Sequence, residues 1–106
     1  EADTIAARAA VTEELLRLGA EARALAAEAA ADAVRTRLLV QEVIPAADAT
    51  VEAALRGYRL GADGFLTVLL AQEALYRARL DAAMAAAGFL VHSVMLQQLL
   101  GPEAHP

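Results

Sequence analysis

Apolar residues recur along two long stretches of the chain at alternating steps of three and four residues. In the first stretch the spaced positions are mostly small: Ala22, Ala26, Ala29, Ala33, Thr36, Val40, Val43 and Ala47. In the second stretch they are larger, and one of them is charged: Leu66, Leu69, Glu73, Tyr76, Leu80, Ala83, Ala87, Leu90 and Val94. This spacing is typical of the seam of a left-handed coiled coil. The sequence therefore predicts two helical arms that pair along these seams.

Glycine and proline mark where the arms begin and end. Three of the six glycines lie between Gly57 and Gly64, and glycine supplies the positive φ that ends helices and closes tight turns. Gly101 and Pro102 stop the second arm in the same way, and Pro45 predicts a kink in the first. We therefore predict one all-α antiparallel hairpin: a first helix over residues 3–56, a tip turn over 57–64, a second helix over 65–100 and a tail over 101–106.

Many apolar residues lie off these seams, so each helix has apolar surface on more than one side: Leu16, Leu25, Leu39, Ile44, Leu75, Met84 and Met95. At about 1.5 Å per residue the first arm is also longer, roughly 80 Å against roughly 50 Å, and its start has no antiparallel partner within the chain. The pattern favours a slice of a larger helical wall. The alternative is a first arm that folds back at Gly19 or Pro45 to make a three- or four-helix bundle.

Composition narrows the class of protein. Apolar residues make up 58% of the chain, roughly a quarter of all residues are Ala, and there is no Cys, which excludes a disulfide scaffold or a thiolate metal site. The net charge of −5 is unfavourable for nucleic acid, which is bound by neutralising phosphates. The apolar stretches are interrupted by charged or polar residues, so we expect no membrane span in this segment.

No set of residues predicts catalysis. His92 and Met95 can share a helix face, but they lack a third metal ligand, so we expect His92 to pair with water or a neighbour at a helix interface. Glu28 and Asp32, spaced at i and i+4, indicate a solvated stripe. The pairs Glu13–Glu14 and Glu42–Asp48 have neither a histidine nor a nucleophile beside them, and Ser93 has no strand-to-helix elbow around it. The expectation is a protein that is not an enzyme and that needs no cofactor or metal.

A run of sequence from Val43 to Gly101 carries a more specific pattern. Ile44-Pro45 is followed by an Ala-rich approach to the turn Tyr58-Arg59-Leu60-Gly61, then by Phe65-Leu-Thr-Val-Leu-Leu-Ala-Gln72 and by a helix that ends at Leu-Gly101. This order and spacing resemble the C-terminal repeat of TolC-like outer membrane efflux proteins, the outer membrane factors of Gram-negative bacteria. The position of Pro45 resembles their heavy-metal and cation branch.

The resemblance implies a fold and a function. In this family three protomers form an outer-membrane barrel that continues into a long periplasmic α-helical tunnel. The turn would be a helical tip at the periplasmic entrance, where it meets a periplasmic adaptor protein and the constriction opens as the inner-membrane pump assembles. The residues implied in adaptor docking are those of the tip: Gly57, Tyr58, Arg59, Leu60, Gly61, Ala62, Asp63 and Gly64. Tyr58 and Asp63 are the implied gating residues.

The chain also departs from the family pattern. Thr67 and Leu70 stand where relatives often have Asp, which argues against a ring of carboxylates at the entrance here, and Asp63 stands where relatives sometimes have a basic residue. The chain contains neither barrel strands nor a first repeat. The alternative is therefore a stand-alone helical module that oligomerises through its Ala seams and has no role in transport.

Overall fold

The two arms form one extended helical hairpin. The computed structural model describes residues 1–101, and all the elements within that range are helical: α1 (Ala2–Leu38), a π-helical turn (Leu39–Val43), α2 (Ile44–Arg59) and α3 (Phe65–Leu100). The hairpin measures 86 × 30 × 15 Å, and α3 runs back along both α1 and α2. The predicted tail over 101–106 lies outside the described residues, apart from Gly101.

The first arm passes both of its predicted break points without folding back. Gly19 lies within α1, and Pro45 lies in the first turn of α2, so the three- or four-helix bundle is wrong. Residues 1–17 are all exposed, which confirms that the start of the first arm extends beyond its partner. The arm therefore overhangs the hairpin at the end opposite the bend.

The irregularity expected at Pro45 lies just before it, as the π-helical turn. The amide of Ile44 donates to the carbonyl of Leu39, five residues back, instead of four as in an α-helix. Pro45 has no N–H to donate, and in a regular α-helix its ring would clash with the carbonyl four residues earlier. A wider turn directly before Pro45 gives the ring room. The first arm therefore continues as one rod from Ala2 to Arg59, with one extra residue inserted in its middle.

The buried face of α3 is not the stripe that the spacing predicted. The buried residues are Val68, Ala71, Leu75, Ala78, Ala82 and Ala85, whereas every position of the predicted second seam is exposed. The two stripes are two residues apart, about 200° around the helix, so they lie on nearly opposite faces. Both have heptad spacing, and the sequence pattern could not decide which faces α1. Glu73 no longer breaks a seam: it is exposed and pairs with Arg77 at 3.0 Å.

The predicted seam of the first arm is correct only in part. Ala29 is buried and Ala47 is half-buried, but Val40 and Val43 are exposed, as is Ala26. Beyond residue 36 the seam runs instead through the buried Leu39 and the half-buried Ile44. The step of five residues between those two positions is the extra residue of the π turn, which a regular three-four pattern cannot foresee.

Few side chains of the hairpin are buried. The larger apolar cluster joins α2 to α3 near the bend and consists of Val51, Ala54, Val68, Ala71 and Leu75. The smaller cluster consists of Leu39, Ala82 and Ala85. Large apolar side chains on the outer stripe of α3 stay open, with Leu66, Tyr76 and Leu90 between 63% and 69% exposed. The expected surplus of apolar surface is present.

By length and apolar composition α3 is long enough and apolar enough to cross a membrane, whereas the sequence pattern predicted no membrane span in this segment. From Ala82 to Leu100 the helix carries no Asp, Glu, Lys or Arg. One such helix is weak evidence of a membrane span. His92 lies in the middle of this stretch.

Candidate functional site

The bend is a helix end closed by glycine. Gly61 has φ +76°, the left-handed conformation that glycine adopts without steric cost. Its amide donates to the carbonyl of Tyr58 at 3.1 Å, and the amide of Ala62 donates to the carbonyl of Gly57 at 2.8 Å. These two bonds form a Schellman motif, which satisfies carbonyls at the end of α2. The non-helical bend is shorter than predicted, residues 60–64, because α2 continues through Gly57, Tyr58 and Arg59.

A second contact holds the bend against the end of α2. The amide of Asp63 donates to the carbonyl of Gly57 at 3.1 Å, and the Asp63 side chain lies over the Cα of Gly57. A Cβ at position 57 would stand 2.7 Å from the Asp63 Cγ, so a side chain there would displace the carboxyl group. Gly57 is thus required for close approach, whereas Gly61 is required for its backbone conformation.

The outer surface of the bend is apolar with charged flanks. The rings of Tyr58 and Phe65 lie 5.7 Å apart at 53°, and both are about half exposed. Leu60 is 84% exposed at the apex, between Arg59 and Asp63. Within residues 1–101, neither the Tyr58 hydroxyl nor the Asp63 carboxylate forms a side-chain hydrogen bond or ion pair. The structure therefore gathers seven of the eight predicted tip residues on one exposed end, with Gly57 half-buried beneath them.

The most polar contact between the arms lies far from the bend, at His92. Its Nδ1 is 2.7 Å from Asp32 Oδ2, and its Nε2 is 2.9 Å from Glu28 Oε2. The His92 and Asp32 side chains are 28% and 23% exposed, while Glu28 is 58% exposed. We call these three residues the histidine clasp. The expectation that His92 pairs with a neighbour at a helix interface is confirmed, and the interpretation of Glu28 and Asp32 as a solvated stripe is wrong for Asp32.

Gly88 makes room for the clasp. A Cβ at this position would stand 2.9 Å from Asp32 Oδ2 and 3.2 Å from its Cγ, so the carboxylate occupies the space that a side chain would fill. The sequence contains a signal for this arrangement in the spacing of the four residues. Glu28 and Asp32 are four residues apart, as are Gly88 and His92, and antiparallel arms bring two such pairs face to face.

The clasp is not arranged as a metal site. The two carboxylates meet opposite edges of the imidazole ring, so they do not converge on one point, and Met95 lies 47% exposed on the same helix. Across residues 1–101, no group of three or more His, Cys, Asp and Glu residues could hold a metal ion. The arrangement is a polar contact between the two arms, with a hydrogen bond between His92 Nδ1 and Asp32.

A separate ion-pair group lies on the overhanging part of α1. Arg17 pairs with Glu14 and with Glu21, and its Nε donates to Glu14 Oε2 at 3.1 Å. The hydrogen bond from Arg17 lowers the pKa of the Glu14 carboxyl, and the same bond raises the pKa of the Arg17 guanidinium. Pairs at i, i+3 and i, i+4 support a helix that has no tertiary partner.

Comparison of the chain with family models, with curated proteins and with solved structures gave no match.

Proposed function

We propose that this hairpin is the periplasmic tunnel-and-tip segment of an outer membrane efflux channel in a Gram-negative bacterium. Its apex would dock a periplasmic adaptor protein, and substrates exported by an inner-membrane pump would pass along the helical wall without chemical change. The observation that carries the proposal is that the Tyr58-Arg59-Leu60-Gly61 motif, on which the resemblance depends, spans the end of α2 and the start of the bend in an extended hairpin.

The surface of the bend suits docking. Leu60, Tyr58 and Phe65 offer apolar surface at the end of the rod, and Arg59 and Asp63 add charge of both signs. Exposed apolar groups that are rimmed by charge are typical of protein contact sites. The backbone bonds of the Schellman motif fix the shape of this surface before a partner arrives, which lowers the entropy lost on binding.

The two stripes of α3 also suit a tunnel wall. One stripe is covered by the first arm of the same chain, and the stripe on the opposite face is open. A helix in a closed ring of helices has a neighbour on each side, so it needs two apolar faces. In the proposed assembly the open face would meet a further helix of the tunnel, in the trimer that the resemblance implies.

The histidine clasp favours protein over lipid as the environment of α3. If the apolar stretch of α3 crossed a membrane, His92 would carry Glu28 and Asp32 into the hydrocarbon with it. Ionisable groups within a bilayer are costly, whereas they are tolerated at an interface between helices that water can reach. The apolar face of α3 is therefore better explained by helix packing than by a membrane span.

Site-specific crosslinking tests the proposal. The chain has no native Cys, so Ala62→Cys places one thiol at the apex, and Ala10→Cys places one at the exposed overhang as a matched control. In cells that express the protein together with its cognate adaptor, we expect a crosslink from position 62 and none from position 10. Absence of adaptor crosslinks from position 62 and from Cys at Leu60 would rule out docking through the apex.

The open stripe of α3 favours a second candidate function, a helical oligomerisation module without a transport role. Such a module would assemble through its outer stripe with no adaptor present, and its apex would be free of contacts. The crosslinking experiment separates the two functions, because only the efflux function requires a partner at Ala62.

A further inference from the structure

We propose that two copies of this chain pair through the exposed face of α3, antiparallel to each other and related by a two-fold axis beside Leu80. The proposal does not rest on the efflux function. In a tunnel a further helix would cover the same face, and the pair forms where no such helix is present. Three observations carry the proposal: the symmetric spacing of the face, a hollow at its centre, and a half-buried carboxylate without an ion pair in residues 1–101.

The exposed face of α3 has the same spacing in both directions from Leu80. Its residues, which we call the symmetric face, are all exposed: Leu66, Leu69, Glu73, Tyr76, Leu80, Met84, Ala87, Val91 and Val94. They lie 4, 7, 11 and 14 positions from Leu80 on either side. At about 100° per residue, these steps keep every member within about 40° of one line along the helix. An antiparallel copy centred on Leu80 therefore presents the same face, position for position.

Antiparallel pairing also matches the side chains across the symmetric face. The successive layers join Leu66 with Val94, Leu69 with Val91, Glu73 with Ala87, and Tyr76 with Met84. The one charged residue of the face thus lies opposite its smallest residue, where the Glu73 carboxylate has room to keep its ion pair with Arg77 at 3.0 Å. A parallel pair in register would instead set Glu73 against Glu73, which is repulsive. The symmetric face therefore favours the antiparallel arrangement.

A hollow at the middle of the face has the form that a partner side chain requires. It is lined by Glu73, Tyr76, Arg77, Leu80 and Asp81. The first four residues are spaced i, i+3, i+4 and i+7, which is the arrangement of a hole that receives one side chain of a facing helix. In the proposed pair that side chain is the partner's Met84. Its flexible thioether lies against the Tyr76 ring, and such sulfur–aromatic contacts are favourable.

Charge complementarity favours a second copy as the occupant of this face. Asp81 is half-buried, and within residues 1–101 its carboxylate forms no ion pair. Arg77 lies one turn earlier on the same flank of α3. In the antiparallel pair Arg77 and the partner's Asp81 differ by about 3 Å along the helix axis, and the two-fold axis repeats this contact. Each Arg77 then bridges its own Glu73 and the partner's Asp81, which its several N–H donors allow.

The hairpin can form this pair without rearranging. The first arm covers the opposite face of α3, so in the pair the two first arms lie on the outside and the two α3 helices lie between them. Pairing covers large apolar side chains that the single hairpin leaves open, such as Tyr76 at 69% exposed and Met84 at 64%. Removal of this apolar surface from water supplies the driving force for association, and the charges select its orientation.

Distances between single spin labels on the two copies test the orientation. Gln72→Cys and Gln97→Cys each place one label at an exposed polar position of α3, in a chain that has no native Cys. In the proposed pair the labels lie about 25 Å apart along the axis for position 72 and about 50 Å for position 97, which is further from Leu80. A parallel pair would give short distances at both positions, and a monomer would give none. Either result would overturn the proposal.

Exchange of charges tests the contact between Arg77 and the partner's Asp81. Arg77→Glu and Asp81→Arg each set like charges against each other in a pair of identical chains. In analytical ultracentrifugation each variant alone should therefore associate about tenfold more weakly than the parent chain. When the two variants are mixed, both contacts again join opposite charges, and association should return to about the parent level.

Arg79→Glu is the matched control, because it makes the same change of charge on the other flank of α3. Mixed with Asp81→Arg, it should give no such recovery. Equal recovery with Arg77→Glu and with Arg79→Glu would show only a general attraction between oppositely altered chains and would overturn the contact, as would no recovery with either. These measurements involve no adaptor, so their result is separate from the crosslinking test of the efflux function.

Discussion

The carboxylate of Asp32 on α1 lies against the Cα of Gly88 on α3, where a Cβ would come within 2.9 Å of its Oδ2. This relationship accounts for a glycine inside a long helix, where it costs about 1 kcal/mol relative to Ala. The lost helix propensity is offset by the space that lets Asp32 reach His92 at 2.7 Å. The glycine at position 88 on α3 is therefore explained by the aspartate at position 32 on α1, 56 positions earlier.

A double-mutant cycle tests this match. Gly88→Ala raises helix propensity but displaces the Asp32 carboxylate, so in the parent chain we expect a change in unfolding free energy close to zero or unfavourable. In an Asp32→Ala background nothing occupies the space, and the same substitution should stabilise by up to about 1 kcal/mol. Chemical denaturation gives both values. Equal effects in the two backgrounds would mean that Gly88 and Asp32 are not coupled.

The positive φ of Gly61 predicts a specific sensitivity at the bend. Gly61→Ala forces a Cβ into the left-handed region and should destabilise the hairpin by about 1–2 kcal/mol, and the β-branched Gly61→Val should cost more. Gly64→Ala is the comparison, because Gly64 has φ −81° and ψ 164° and open space around it, so the substitution changes only the N-cap residue of α3. Thermal melting should rank Val below Ala at position 61 and place Gly64→Ala above both. A Gly61→Val chain that melts like the parent would contradict this account of the bend.

The open stripe of α3 predicts self-association. Leu80→Glu puts a charge in the middle of the stripe, so it should shift the chain towards monomer in light scattering at high concentration while leaving helicity nearly unchanged. Gln72→Glu adds the same charge at an exposed polar position and should leave association unaltered. If the parent chain is monomeric at high concentration, the stripe does not drive assembly by itself.

The lowered pKa of Glu14 predicts an acid-sensitive overhang. The Glu14–Arg17 pair stabilises the helix at pH values above the pKa that the Glu14 carboxyl has in the unfolded chain. This stabilisation is lost as the pH falls through the lower pKa of Glu14 in the folded chain. Because the pair is exposed, the expected effect is small. Glu14→Gln should reduce the helical signal of the overhang near neutral pH and flatten its loss on acidification, which hydrogen exchange of residues 10–20 can follow. Glu13→Gln, one residue earlier, should change neither.

The sequence by itself determined the two rods, the bend between them and the overhang. Alternating apolar positions, abundant Ala and few helix breakers fix long helices locally, and Gly61 ends the first arm because no other residue adopts its φ so readily. These features depend on neighbours within a turn or two of the same helix. The apex residues could therefore be named before any coordinates were seen, although α2 reaches three residues further than the glycines suggested.

Only the tertiary structure decided which faces meet. α3 has two apolar stripes of the same period on opposite sides, and a periodicity cannot tell the one that covers α1 from the one that stays open. The π turn inserts one residue into the facing arm, which moves the seam from Val40 and Val43 to Leu39 and Ile44. The histidine clasp joins positions about 60 residues apart, and its partners are brought together by the register of the folded arms, which no local pattern records.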